Sequence, residues 1–205
     1  VVEAGRVIGG VDATEARRRM WHWLLQVKDM GFSGVNNFPT HTIVDGQFRG
    51  VLEETGMSVK KEFEMVALAR RMDLFSIVYV ATPEEAVEMA QAGADAIIVH
   101  VGTTVGGSIG VSSAVVNWDF AIQRTREIIQ AVRTVRKDVL FLAHGGPINT
   151  PDDVDRILQH TDVLGFVGAS SLERMAVEES LTQLTRKFKA LKSPAAENFH
   201  FGESD

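Results

Sequence analysis

Asp95-Ala96-Ile97-Ile98-Val99-His100-Val101 runs almost unbroken in apolar residues into a Gly/Ser/Thr-rich stretch that opens with Gly102-Thr103-Thr104. Strands read this way when helices cover both faces of their sheet, which is the condition of parallel sheets. Val139-Leu140-Phe141-Leu142-Ala143, ended by His144-Gly145-Gly146-Pro147, repeats the pattern one unit later. Outward from these two runs, further strands are predicted over 7–11, 33–37, 74–80 and 163–168. Helix-period segments fill the intervals at 13–30, from Ser58 to Arg71, from Thr82 to Gly93, over 119–136, from Thr150 onward, and over 174–191. Thr82-Pro83 and Thr150-Pro151 are N-caps followed by proline at the first helical position, and Gly31 and Gly93 are stop signals. The segment from Phe38 to Met57 reads as a long polar loop. Six βα units in series mean an α/β fold.

Two α/β architectures compete. A doubly wound sheet would favour a glycine fingerprint after its first strand, and Gly9-Gly10-Val11-Asp12 lacks the GxGxxG spacing. Polar and glycine-rich stretches instead follow the C-terminal ends of the strands, where a TIM (β/α)8 barrel gathers its active site. The barrel type is therefore expected, as one domain over 1–192 with a frayed tail over 193–205.

Composition narrows the function classes. The chain has 205 residues, 45% hydrophobic and 23% charged, an ordinary globular mixture. It has no cysteine, which excludes disulfides, thiolate metal sites and a cysteine nucleophile. A net charge of −6 with no basic stripe argues against nucleic acid. No apolar run reaches the roughly eighteen residues of a membrane span. Val1-Val2-Glu3 has neither the charged nor the apolar region of a signal peptide, so a cytoplasmic protein is expected.

The residues that could carry chemistry sit at strand ends. Gly145 and Gly146 follow one strand and Gly168, Ala169 and Ser170 follow the next, where backbone amides and a helix N-terminus can hold an anion. The same glycines also suit tight βα turns and nothing more. His144 and His100 both lie at strand ends, and a histidine there can act as general acid–base or polarise a carbonyl. For His100 a hydrogen-bonded core role is an equal alternative. Of the adjacent pair Glu53-Glu54, Glu54 is the one expected to reach the mouth as a base or metal ligand, unless it is a solvated loop end. Arg174 could complement a carboxylate or phosphate, or make an ordinary ion pair at a helix start. Trp21, Trp23 and Trp118 suggest packing or an oligomer face.

Six motifs in order sharpen this reading: Gly34-Val35-Asn36-Asn37-Phe38-Pro39-Thr40, Leu52-Glu53-Glu54-Thr55-Gly56-Met57, Ala92-Gly93-Ala94-Asp95, Gly106-Gly107-Ser108-Ile109-Gly110, His144-Gly145-Gly146-Pro147-Ile148 and Gly168-Ala169-Ser170-Ser171-Leu172-Glu173-Arg174. Together, from Val7 to Lys192, they resemble the phosphoenolpyruvate-hydrolase-like TIM-barrel family. The resemblance implies an intracellular barrel, found alone or behind an ATP-binding domain, and its name points to hydrolysis of a phosphoenolpyruvate-like compound. The sequence departs from the family pattern at Asn36 (Gln in the family), at Val101-Gly102-Thr103-Thr104 (Met-Gly-Leu-Thr) and at Ala143 (Cys).

The strand ending at Val11 resembles the family's third, so two units are expected to be missing before it. Units of about 31 residues would need about 250 to make eight, the usual barrel size. An open six-stranded portion is expected, or one completed by another chain or domain, with 7–11 as an edge needing cover.

The expected activity is that of a hydrolase or lyase acting on a small phosphorylated or carboxylated metabolite. His144 would be the acid–base, with His100, Asn37 and Glu54 orienting substrate or a divalent ion such as Mg²⁺. Gly145, Gly146, Gly168, Ala169, Ser170 and Arg174 would hold the anionic group. A barrel that senses or scaffolds without catalysis is the alternative, and homo-oligomerisation is expected.

Overall fold

A computed structural model describes residues 6–107, 110 and 117–191. Six strands form one parallel sheet: β1 (Ile8–Gly10), β2 (Gly34–Asn36), β3 (Phe75–Val80), β4 (Ala96–His100), β5 (Leu140–His144) and β6 (Gly165–Phe166). They pair in sequence order from β1 to β6 with no reversal. That order is the TIM-barrel arrangement, since a doubly wound sheet reverses at a switch point. The fold is therefore α/β of the TIM-barrel type.

Helices α1 (Met20–Asp29), α3 (Lys60–Arg71), α4 (Pro83–Ala92), α5 (Trp118–Val135) and α6 (Pro151–His160) alternate with the strands. The caps read from the sequence are in place. The Thr82 hydroxyl accepts from the Glu85 N–H, and Thr150 forms a reciprocal capping box with Asp153. Gly93 ends α4 in a left-handed conformation.

Three boundaries differ from expectation. Helix α1 begins at Met20 rather than 13, because Asp12 accepts from the N–H and hydroxyl of Thr14 and holds that stretch as a turn. The presumed loop 38–57 contains a 3₁₀ turn (His41–Ile43) and α2 (Gly46–Glu54). Periodicity failed to reveal α2 because none of its residues is buried. The last helix begins as a π turn (Ser171–Met175) before α7 (Ala176–Lys189). The tail over 193–205 lies outside the described residues.

The core lies between the sheet and its helices. Val78 and Val80 of β3, Ile97 and Val99 of β4, and Phe141 and Ala143 of β5 pack against Met65, Met89, Ile128 and Val132. Strand residues of the other parity, Tyr79, Ile98 and Leu142, align across β3, β4 and β5 on the opposite, inner face. No helix among the described residues is long and apolar enough to cross a membrane.

Candidate functional site

The register of the sheet sets the site. His100 and His144 are paired residues that end β4 and β5, so both rings leave the inner face at the same height. Their centroids are 5.2 Å apart. Tyr79, one layer below on β3, sets its ring edge-on to both, at 5.1 Å from His144 and 6.0 Å from His100. Phe38 continues the row 5.8 Å from Tyr79.

Backbone groups hold the two imidazoles in opposite tautomers. His144 Nδ1 lies 2.7 Å from the Val167 carbonyl oxygen, which can only accept, so Nδ1 carries the proton and Nε2 the lone pair. His100 Nδ1 accepts from the Gly102 N–H at 3.3 Å, so its proton sits on Nε2. Burial holds both rings neutral. It lowers the His100 pKa from 6.5 to about 4, with the neighbouring His144 adding to the effect. It also lowers that of His144, against the opposing pull of the Val167 carbonyl. The pair thus offers one donor and one acceptor side by side. Burial and the charge of Glu173 raise the Tyr79 pKa, keeping its phenol protonated.

A buried polar brace supports this row from below. Asn37 has no exposed surface: its Oδ1 accepts from the Tyr79 N–H at 2.7 Å and its Nδ2 donates to the Tyr79 carbonyl at 3.1 Å. Nδ2 also donates to Glu62 and lies 3.3 Å from the Thr40 hydroxyl. Glu62, equally buried on α3, accepts from Thr40 at 2.8 Å and from the His41 N–H at 2.7 Å. Desolvation raises its pKa against the hydrogen bonds that favour its charged form. Asn37, expected to touch substrate, has its amide fully engaged in fixing the backbone of Tyr79.

Beside His100 opens a cavity of about 740 Å³, bounded by Thr42, Arg49, Glu53, Glu85, Gly102 and Thr103 among others. Arg49 donates to Glu53 at 2.9 Å, to Glu85 at 3.0 Å and to the His41 and Val44 carbonyls. Glu85 also accepts from the Thr42 hydroxyl and the Ala81 N–H. Glu53, rather than its neighbour Glu54, therefore faces the cavity. Glu54 is exposed at the end of α2 and does not line the cavity.

The two glycine-rich strand ends behave differently. The Gly146 N–H donates to the Gly102 carbonyl at 2.8 Å, locking the loop after β5 to the loop after β4. Gly145 lies at φ +79°, and a Cβ there would drive into the Gly102 carbonyl oxygen. This close approach requires glycine whatever ligand binds. By contrast, the N–H groups of Gly168, Ala169 and Ser170 make no hydrogen bond among the described residues, just before the π turn. Arg174 donates to Glu178 at 2.8 Å and packs over Gly107. Ser108 and Ile109 of the glycine-rich loop lie outside the described residues.

For a metal, the donor set fits poorly. Among the described residues no group of three or more His, Asp or Glu side chains converges. The carboxylates that line the cavity beside His100, Glu53 and Glu85, already serve Arg49.

Sequence reading missed Tyr79, Glu62 and the Arg49–Glu85 pair. For Glu62 a signal existed: it shares one face of α3 with the buried Met65, Val66 and Ala69, a carboxylate inside an apolar stripe. Tyr79 is the only tyrosine in the chain.

Comparison with known proteins follows the same lines. The chain is 44% identical over 192 residues to two tomato (Solanum lycopersicum) proteins, the ToMV susceptible protein tm-1(GCR26) and the ToMV resistance protein Tm-1(GCR237). The alignment covers 93% of this chain and 25% of each of them. It is 32% identical over 185 residues to y4pA of Sinorhizobium fredii, provisionally named a transcriptional regulatory protein, covering 90% of this chain and 30% of y4pA. The chain thus spans about a quarter of the length of the tomato relatives. A crystallised phosphonopyruvate hydrolase in complex with oxalate and Mg²⁺ aligns with a TM-score of 0.41 at 13% identity, covering 93% of this chain and 87% of that one, a likeness too low to carry weight. The family match is of another order, extending over residues 1–191. The chain belongs to the phosphoenolpyruvate hydrolase-like family.

Proposed function

We propose that this chain, in the cytoplasm, binds a small phosphorylated or carboxylated metabolite at the C-terminal ends of its strands and hydrolyses or cleaves it. The observation that carries this reading is the His100–His144 pair, neutral and held in complementary tautomers. His144 Nε2, unprotonated, takes a proton from water or substrate. His100 Nε2–H donates to an oxygen on which negative charge develops. A general base works best with a pKa near the operating pH. The depressed value of His144 leaves it available as a base throughout the neutral range.

The amides of Gly168, Ala169 and Ser170, unbonded among the described residues, receive the anionic group, and Arg174 approaches it from the π turn. Gly145 and Gly146 serve this site indirectly, by fixing the loop that follows His144 against the loop that follows His100. Glu54 takes no part, and Glu53 helps to hold Arg49 at the cavity wall. No step is assigned to a metal ion.

Thermal-shift titration with phosphoenolpyruvate and pyruvate-type acids, paired with turnover assays, tests this directly. Ligand-dependent stabilisation with turnover is expected in the chain as it stands. The His144→Ala variant should keep the stabilisation and lose about 100-fold or more in turnover. Unchanged turnover in that variant would remove His144 from the chemistry. Stabilisation without turnover would favour a sensing barrel, a reading to which the regulatory name of y4pA lends some support. Neither response would overturn both.

A further inference from the structure

Among the described residues, helix α7 has no buried side chain and its one substantial contact is the π turn from which it grows, with Glu178 at its start lying against Gly107. Yet Val177, Leu181, Leu184, Phe188 and Leu191 are all more than half exposed and recur at intervals of four, three, four and three. That is the heptad spacing of a helix-pairing seam. A helix of 14 residues is marginal in water by itself, so a stable α7 needs a partner along this stripe.

Charge selects the partner. The first turn of α7 carries Glu178 and Glu179, and the last carries Arg186, Lys187 and Lys189. A second copy running antiparallel sets each acidic end beside a basic end, whereas a parallel copy sets like on like. The middle of α7 (Ala176–Lys189) falls between Leu181 and Leu184, so a two-fold axis there closes the pair symmetrically, Leu181 facing Leu184 and Val177 facing Phe188.

We propose that α7 is a homodimerisation helix, pairing antiparallel with the same helix of a second copy through Leu181 and Leu184. This does not depend on the reading of the histidine site.

The test begins with the mass of the intact chain in solution, by light scattering and sedimentation at micromolar concentration. A dimer is expected, and Leu181→Glu/Leu184→Glu should shift it to monomer, raising Kd at least tenfold. Far-UV circular dichroism and the unfolding midpoint of the β-sheet domain check that the variant stays folded.

Because the chain has no cysteine, orientation can be read by cross-linking. When Leu181→Cys and Leu184→Cys chains are mixed and oxidised, the antiparallel pair predicts chiefly the mixed disulfide. Mainly homodisulfides would overturn the antiparallel pairing. A monomeric chain, or a dimer indifferent to the double substitution, would overturn the proposal. In the monomeric case the seam would have to be covered by another protein or another segment.

Discussion

The two faces of the sheet are built for different ends. On the helix side, Val78, Val80, Ile97 and Val99 have no exposed surface and join one continuous core. On the inner side, Phe75 is 38% and Leu140 44% exposed, and the strand ends carry Tyr79, His100 and His144 instead of aliphatic residues. Phe75 beside Ser76 and Leu140 beside Phe141 therefore have opposite environments, whereas Ile97 and Ile98 in the middle of β4 are both closed to solvent. The contrast teaches that stability is concentrated on the outer face, while the inner face carries groups whose burial tunes their protonation.

Three substitutions or conditions test this contrast, beginning with the largest effect. Ile97→Ala opens a cavity in the closed outer face and should destabilise by about 2–5 kcal/mol in urea unfolding. A loss below about 1 kcal/mol would show that the helix layer does not pack as described.

The second test uses pH. His100 titrates near 4 in the folded chain against an ordinary 6.5, so the unfolded chain takes up a proton in this window that the folded chain refuses. Stability should therefore be full above about pH 6.5 and fall as pH drops toward 4, by roughly 2–3 kcal/mol for this group. His100→Gln should flatten that part of the stability–pH curve. An unchanged slope would place the titration elsewhere.

The smallest effect is expected from Leu140→Ala, which removes a half-exposed inner-face side chain and should cost less than about 1 kcal/mol. A cost equal to that of Ile97→Ala would show that the inner face is covered in solution.

Much of the frame was legible in the sequence because it depends on local rules. Thr82-Pro83 and Thr150-Pro151 announce helix starts by hydrogen-bonding capacity alone, and they cap α4 and α6 as read. Helix α2 escaped because a helix without a buried face leaves no periodic trace. The histidines at the ends of β4 and β5 were legible as candidates, since strand-end position follows from the chain. Their partnership with Tyr79 was not, because a 5.1 Å ring contact depends on how far each strand is shifted against the next. Glu54 and Glu53 show the same limit. Adjacent residues on a helix turn by about 100°, and only the seating of α2 through Arg49 on Glu85 decides which of them meets the cavity.

The sequence by itself determined the α/β class, the order of βα units and the family, and pointed to the strand ends as the candidate site, because apolar runs, caps and glycine-rich turns act within a few residues of chain. Only the tertiary structure decided that the Asn37 amide braces the backbone of Tyr79, that Gly146 is tied to Gly102, and that His100 and His144 are neutral in opposite tautomers. Each of these depends on a hydrogen bond or on desolvation supplied by residues distant in the chain or by a backbone turn. Such partners become neighbours only when the parallel register brings the strand ends together.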